Sequence, residues 1–138
     1  MKKKLHNILL IDDSKADNFI NSRIIKKADV THNIVVTYGA REALNYLSTS
    51  VDGVFPNPEI IFLDINMPDM TGWDFLEEYR KLNENQKAGV VVCMLTTSYA
   101  DDDRKKALSY NILSDFSNKP LSFDKLMGII ENNFPELV

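Results

Sequence analysis

Five side chains that could act together in phosphoryl transfer follow apolar runs in this chain of 138 residues. Carboxylates gathered at one place are suited to hold an oxygen-ligated cation such as Mg²⁺. A carboxylate can also attack phosphorus to give an acyl phosphate, while a hydroxyl and an ammonium group bind the transferring oxygens. The residues with these properties are Asp12, Asp13, Asp64, Thr96 and Lys119. They can perform this chemistry only if the fold brings them to the same place.

Five short runs rich in Val, Ile and Leu predict β-strands. Most are apolar throughout and do not alternate with polar residues, which is typical of parallel strands buried on both faces. The predicted strands are Asn7–Ile11, Ile34–Thr37, Ile60–Leu63, Val90–Leu95 and Ile112–Phe116.

Each predicted strand is followed by a segment with the apolar spacing of an amphipathic helix. Phe19, Ile20 and Ile24 contribute to the apolar stripe of the first segment, and Phe123 and Ile130 to that of the last. The fourth segment is short and polar. The predicted helices lie within 16–28, 40–47, 75–82, 102–109 and 123–134.

Five successive β–α units predict an α/β fold, namely a (βα)5 doubly wound parallel sheet of five strands with helices on both faces. In such sheets the ligand crevice lies outside the carboxyl ends of the strands. The five chemically active side chains lie at or just beyond those ends, so we expect them to converge. His6 and His32 lie at strand beginnings, on the opposite edge, and are not expected to bind zinc.

Carboxylates that converge in this way need a compensating cation. Three of them within ~4 Å would repel by about 4 kcal/mol per pair at an effective dielectric constant near 20. No Cys or His follows these strands, which favours Mg²⁺ over Zn²⁺.

Taken singly, most of these residues also have an ordinary structural interpretation. Asp12 and Asp13 could serve only the start of a helix. Thr96 could cap a turn, and Lys119 could be a solvated loop residue. Asp64 is harder to explain in this way, because it ends a buried apolar strand where an ionised group is costly.

Composition and charge restrict the kind of protein further. With 44% hydrophobic and 26% charged residues, the chain has the composition of a soluble globular protein. A net charge of −4 disfavours nucleic-acid binding, and no apolar run is long enough to cross a bilayer. The single cysteine, Cys93, fits a reducing, cytoplasmic compartment. We expect residues 1–138 to form one domain without an output domain.

Four stretches of the sequence, in this order, closely resemble the receiver domains of response regulators in their single-domain, CheY-like form. Asp13, Asp64, Thr96 and Lys119 are separated by intervals of 51, 32 and 23 residues. The resemblance covers nearly the whole chain and implies a flavodoxin-like fold and a role in two-component or phosphorelay signalling. The stretches are 8–13, 61–73, 94–97 and 119–120.

The resemblance implies a phosphoacceptor and a metal site. Asp64 would accept a phosphoryl group from the phosphohistidine of a sensor histidine kinase or a histidine phosphotransfer protein. Asp13, Asp64 and the backbone carbonyl of Asn66 would bind Mg²⁺ directly, with Asp12 assisting through water. The chain would not be a conventional enzyme, although it would promote its own phosphorylation and dephosphorylation.

The resemblance also implies a switch. Thr96 would be the hydroxyl that moves toward the phosphate, and Lys119 would pair with the phosphate, with the Lys119–Pro120 bond cis. Phe116 would turn inward when Thr96 moves. The face formed by the fourth helix, fifth strand and fifth helix would then change its affinity for a downstream protein target that the sequence does not identify.

Other functions share parts of this pattern. Haloacid-dehalogenase-like phosphatases also use an aspartate nucleophile, Mg²⁺, a Thr and a Lys, but they carry a second acid two positions later, where this chain has Asn66. A flavodoxin-like cofactor site would need a phosphate-binding loop where Asp12 and Asp13 stand. A receiver-like module that binds partners without phosphorylation is disfavoured, because every acidic and polar position is filled.

Two features depart from the family pattern. Thr97 stands where the family usually has alanine and could narrow access to an acyl phosphate. The acidic run 101–103 could bias the choice of partner or simply suit a helix start. Asn66 and Ser98 flank the path of an attacking water and could tune the lifetime of the phosphate.

Overall fold

The computed structural model describes residues 3–88, 91–96, 105–106, 109 and 113–137, with only the backbone described for 91–96 and 114–118. Most of the predicted fourth helix, over 102–109, lies outside these residues. Val90 and Ile112, which the sequence assigns to the fourth and fifth strands, lie outside them as well.

A five-stranded parallel sheet forms the centre of the structure, with strand order β2-β1-β3-β4-β5. This order confirms the predicted doubly wound sheet. Every residue of β3 is buried, as the apolar run Ile60–Leu63 predicts, and the burial includes Asp64 at its end. The strands are β1 (Leu5–Ile11), β2 (Thr31–Thr37), β3 (Ile60–Asp64), β4 (Val91–Thr96) and β5 (Leu113–Asn118).

Helices cover both faces of the sheet, and each face has its own hydrophobic core. Ile25 and Leu126, from the first and last described helices, pack in one core. Leu47 and Phe75, from the two middle helices, pack in the other. Within the described part of the chain, no helix is both long and apolar enough to cross a membrane. Numbered as described, the helices are α1 (Lys15–Ala28), α2 (Ala40–Ser48), α3 (Gly72–Tyr79) and α4 (Phe123–Asn133), with short 3-10 turns at Glu84–Gln86 and Pro135–Leu137.

Helix α1 forms as predicted, but the prediction of its apolar face was wrong in part. The residues that it buries are Asn18, Asn21 and Ile25, which lie on one side of a helix. Phe19 is instead 63% exposed, and Ile20 is exposed too. The side-chain amide of Asn18 donates a hydrogen bond of 2.8 Å to the backbone carbonyl of Asp12, just beyond β1, which helps to hold this polar face inward.

The loop between α2 and β3 contains a small hairpin that the sequence does not predict. The backbone N–H groups of Val51 and Val54 donate to each other's carbonyls at 2.9 and 3.0 Å. Asp52 and Gly53 between them have positive φ angles of 53° and 79°. Positive φ at both central residues defines the tight turn that matches the twist of a two-stranded hairpin.

Candidate functional site

Asp12, Asp64 and Lys119 converge at the carboxyl edge of the sheet. Asp12 follows the end of β1, Asp64 is the last residue of β3, and Lys119 follows the end of β5. Asp64 is only 5% exposed and Asp12 is also buried, whereas Asp13 is exposed. The strand order brings these residues together although they lie far apart in the sequence.

The three carboxylates are close enough to share a metal ion. One oxygen from each of Asp12, Asp13 and Asp64 lies within 4.8 Å of the others. Among the described residues, no other group of three or more His, Cys, Asp or Glu side chains is arranged in this way. The donors are all carboxylate oxygens, and this set suits a hard divalent cation.

Lys119 supplies the positive charge that the carboxylates need. Its Nζ pairs with Oδ2 of Asp12, lies 2.9 Å from Oδ2 of Asp17, and lies 3.5 Å from Oδ2 of Asp64. Burial opposes the charged form of the amine, but hydrogen bonds to Asp12 and Asp17 together with attraction to Asp12 and Asp64 raise the pKa of Lys119 above its usual value. Lys119 is therefore held as a buried cation. The Lys119–Pro120 bond is cis, as predicted.

Asp64 is held in an environment that penalises its ionised form. Burial, with repulsion from Asp12, raises the pKa of Asp64 to about 6, although attraction to Lys119 and a backbone hydrogen bond from Asn66 act against this. Asp13 adds the smallest repulsive contribution to the pKa. The backbone N–H of Asn66 donates its hydrogen bond to Oδ1 of Asp64 at 3.4 Å. A cation bound at the carboxylates would favour ionised Asp64, the form that can act as a nucleophile.

Sequence reasoning missed the contribution of α1 to this site. Ser14 caps the helix by accepting a hydrogen bond from the Asp17 N–H at 3.1 Å, and its own N–H donates to Oδ1 of Asp12 at 3.0 Å. This cap places Asp17 in the first turn, where its carboxylate reaches Lys119. An acidic residue in the first turn of a helix ordinarily stabilises the helix dipole, so the sequence alone does not indicate that Asp17 contacts Lys119.

Comparison with known proteins decides the family. The family model of the response regulator receiver domain matches residues 8–131. The chain belongs to the response regulator receiver family. Its receiver sequence is 32% identical over 124 residues to the probable methanogenesis regulatory protein FilR2 of Methanothrix harundinacea, which covers 90% of this chain and 78% of that protein. Response regulator Rcp1 of Synechocystis is 32% identical over 99 residues, which cover 70% of this chain and 65% of that protein.

Solved structures show the same family. A two-component response regulator from Cytophaga hutchinsonii is similar with a TM-score of 0.80 and 29% identity, covering 94% of this receiver and 97% of that chain. The bacteriophytochrome response regulator RtBRR is similar with a TM-score of 0.76 and 25% identity, and the match covers 93% of this receiver and 77% of that chain. This receiver is therefore a response regulator domain of two-component signalling. The comparisons do not favour the phosphatase or the phosphorylation-independent binding module.

The backbone places the predicted switch residues of the receiver beside the aspartates. Asp64 pairs with Leu95 in the sheet, and the next residue, Thr96, pairs with Asn118, which precedes Lys119. Phe116 lies in β5 opposite Met94. The side chains of Thr96 and Phe116 lie outside what the structure describes, as do residues 97, 98 and 101–103, so their roles stay predictions.

Proposed function

We propose that Asp64 of this receiver accepts a phosphoryl group from a phosphohistidine, with Mg²⁺ as the cofactor. The observation that carries the proposal is the meeting of a buried carboxylate, two neighbouring acids and a buried ammonium group at one edge of the sheet. Asp12, Asp13 and Asp64 would hold the metal ion, with the predicted assistance of the Asn66 carbonyl. When bound, Mg²⁺ supplies charge neutralisation at the phosphoryl oxygens.

The residues of the chain perform the rest of the proposed reaction. A carboxylate oxygen of Asp64 forms a bond to phosphorus as the bond to the histidine nitrogen breaks, and the nitrogen takes a proton from water. At neutral pH an Asp64 with a pKa of about 6 is mostly ionised, so the nucleophile needs no general base. The Nζ of Lys119, 3.5 Å from Oδ2 of Asp64, is close enough to pair with the added oxygens.

Phosphorylation would redistribute the charges around Lys119. The new group adds about −1.5 to −2 charge next to an ammonium that already serves Asp12 and Asp17. We propose that Thr96 moves to the phosphate, that Phe116 repacks with it, and that a downstream protein target recognises the altered surface. The receiver would act in the cytoplasm, and it would not be a conventional enzyme although it promotes its own phosphorylation and dephosphorylation.

A small phosphoryl donor tests the assignment of Asp64. Incubation with acetyl phosphate and Mg²⁺ should add one phosphoryl group to the intact protein, as measured by mass spectrometry. The addition should disappear when EDTA removes the metal ion and in Asp64→Asn, which lacks the nucleophile. Asp69→Asn is a matched control, because Asp69 is exposed and pairs with Arg41 outside the site. An unchanged mass for the wild type, or equal addition to Asp64→Asn, would contradict the proposal.

The protein donor should approach beside α1. Receiver domains in two-component systems pair with histidine kinases, and a sensor histidine kinase of Helicobacter pylori is among the relatives. Phe19 and Ile20 are exposed on α1 only a few residues beyond Asp17, and Phe123 is exposed at the start of α4, shortly after Lys119. We propose that this apolar surface contacts the histidine kinase or phosphotransfer protein.

Comparison of two donors separates docking from chemistry. Phe19→Ser should slow phosphoryl transfer from the histidine kinase that is fastest in a profile of the host's kinases, by roughly tenfold, as loss of an interface anchor does. The rate with acetyl phosphate should stay at the wild-type value, because a small molecule needs no docking surface. Equal slowing with both donors would show that Phe19 affects the site itself, and no slowing with the kinase would place its contact surface elsewhere.

A further inference from the structure

Strand β2 is an edge strand without the usual protection. The strand order places it at one end of the sheet, where β1 is its partner and no other described strand pairs with its outer side. Soluble proteins commonly protect such an edge with lysine, proline or a bulge, because its free N–H and C=O groups can pair with another strand. The seven residues of β2 include no Lys, Arg, Asp or Glu and no proline.

Exposed apolar side chains cluster beside this edge. In the described part of the chain six large hydrophobic side chains are exposed, and three of them, Tyr38, Val51 and Val54, lie here. Val51 and Val54 of the hairpin are 72% and 68% exposed. A groove of about 370 Å³, lined by Val35, Tyr46 and Val51 among others, runs between β2, α2 and the hairpin. A second hollow of about 390 Å³ continues it around the hairpin.

The charge pattern of β2 favours a second copy of the same strand as the partner. In an antiparallel pair related by a two-fold axis, each residue meets a residue of the same strand in the other copy. A strand that carried charge near the axis would therefore bring like charges together, which is destabilising. Centred on Ile34, the pairing joins Asn33 to Val35 and His32 to Val36, and it brings no Lys, Arg, Asp or Glu of one strand against another.

We propose that two copies of this chain associate through antiparallel pairing of their β2 strands. The pairing joins two five-stranded sheets into one of ten and satisfies the outer hydrogen-bonding groups of both strands. The hairpin and Tyr38 of each copy border the new interface, and their apolar side chains become less exposed to water. The proposed pairing uses the outer side of β2 and does not depend on phosphorylation of Asp64.

The oligomeric state tests this pairing. Sedimentation equilibrium of the full chain should give a mass of about twice 15.8 kDa at high protein concentration and of one chain on dilution. Asn33→Lys should weaken the association constant by roughly tenfold or more, because it places two like charges near the axis. Asn33 is exposed, so the variant should melt at the wild-type temperature. Asn132→Lys, the same change at an exposed position of α4, should leave association unchanged.

Two results would overturn the proposal. One is a mass of a single chain at every concentration up to the millimolar range, which would leave β2 without a second copy as partner. The other is a dimer that Asn33→Lys does not weaken, which would place the interface on another face of the molecule.

Discussion

Replacing Lys119 with methionine should lower the free energy of unfolding of the metal-free protein by about 3 kcal/mol, and its melting temperature by roughly 10 °C. Lys119 is buried and pairs with Asp12, Asp17 and Asp64. Methionine fills a similar volume but leaves the carboxylates at a buried site without their cation. Urea unfolding in EDTA measures the loss.

Magnesium should partly reverse the Lys119→Met defect. A divalent cation replaces the missing positive charge, so saturating Mg²⁺ should raise the melting temperature of this variant more than that of the wild type. Lys81→Met is the matched control, since Lys81 forms an exposed ion pair with Glu78 and such pairs contribute at most about 1 kcal/mol. Two results would show that Lys119 does not offset the charge of the aspartates. One is a melting temperature of Lys119→Met in EDTA equal to that of the wild type, and the other is a rise in melting temperature with Mg²⁺ no larger than that of the wild type.

Replacing Asp64 with asparagine should stabilise the metal-free protein at neutral pH but not near pH 4. The pKa of Asp64 is raised to about 6 in the folded state, against about 3.9 for an unfolded chain. This group therefore favours folding most below pH 4, and that contribution is lost as pH rises through 6. At 1.36 kcal/mol per pKa unit the loss is at most about 3 kcal/mol by pH 7.5.

The difference in unfolding free energy between Asp64→Asn and the wild type measures this effect, because the two proteins are otherwise identical. The difference should grow from pH 4 to pH 7.5 in EDTA and shrink when Mg²⁺ is added. Asp13→Asn is the control: Asp13 is exposed and contributes least to the repulsion, so its metal-free stability should change little. Its Mg²⁺ affinity should still fall by roughly tenfold or more. A difference that does not vary with pH would contradict the raised pKa of Asp64.

The sequence predicted the central strands because β3 is buried throughout and β1 along most of its length. The run Ile60–Leu63 has no polar position that would suit a solvated sheet. The sequence alone therefore predicted a buried strand at these residues. The site then followed from topology, since parallel strands align their carboxyl ends. Asp12, Asp64 and Lys119 are found together for that reason.

The features that the sequence did not predict depend on hydrogen bonds between distant or polar groups. Asn18 faces inward because it bonds to the backbone of Asp12, and no hydrophobic pattern reports such a bond. Asp17 resembles an ordinary first-turn acid until the fold brings Lys119 to it. The valines of the hairpin are held exposed to solvent by the tight turn at Asp52 and Gly53, which depends on backbone hydrogen bonds across the loop.

The contact between Lys119 and Asp17 joins residues that are 102 positions apart in the chain. Closing so long a loop costs entropy that only the completed sheet repays. A chain leaving the ribosome presents Asp12, Asp13 and Asp64 long before Lys119. The acids are therefore synthesised before the residue that offsets their charge, and Lys119 reaches them only when the fifth strand joins the sheet.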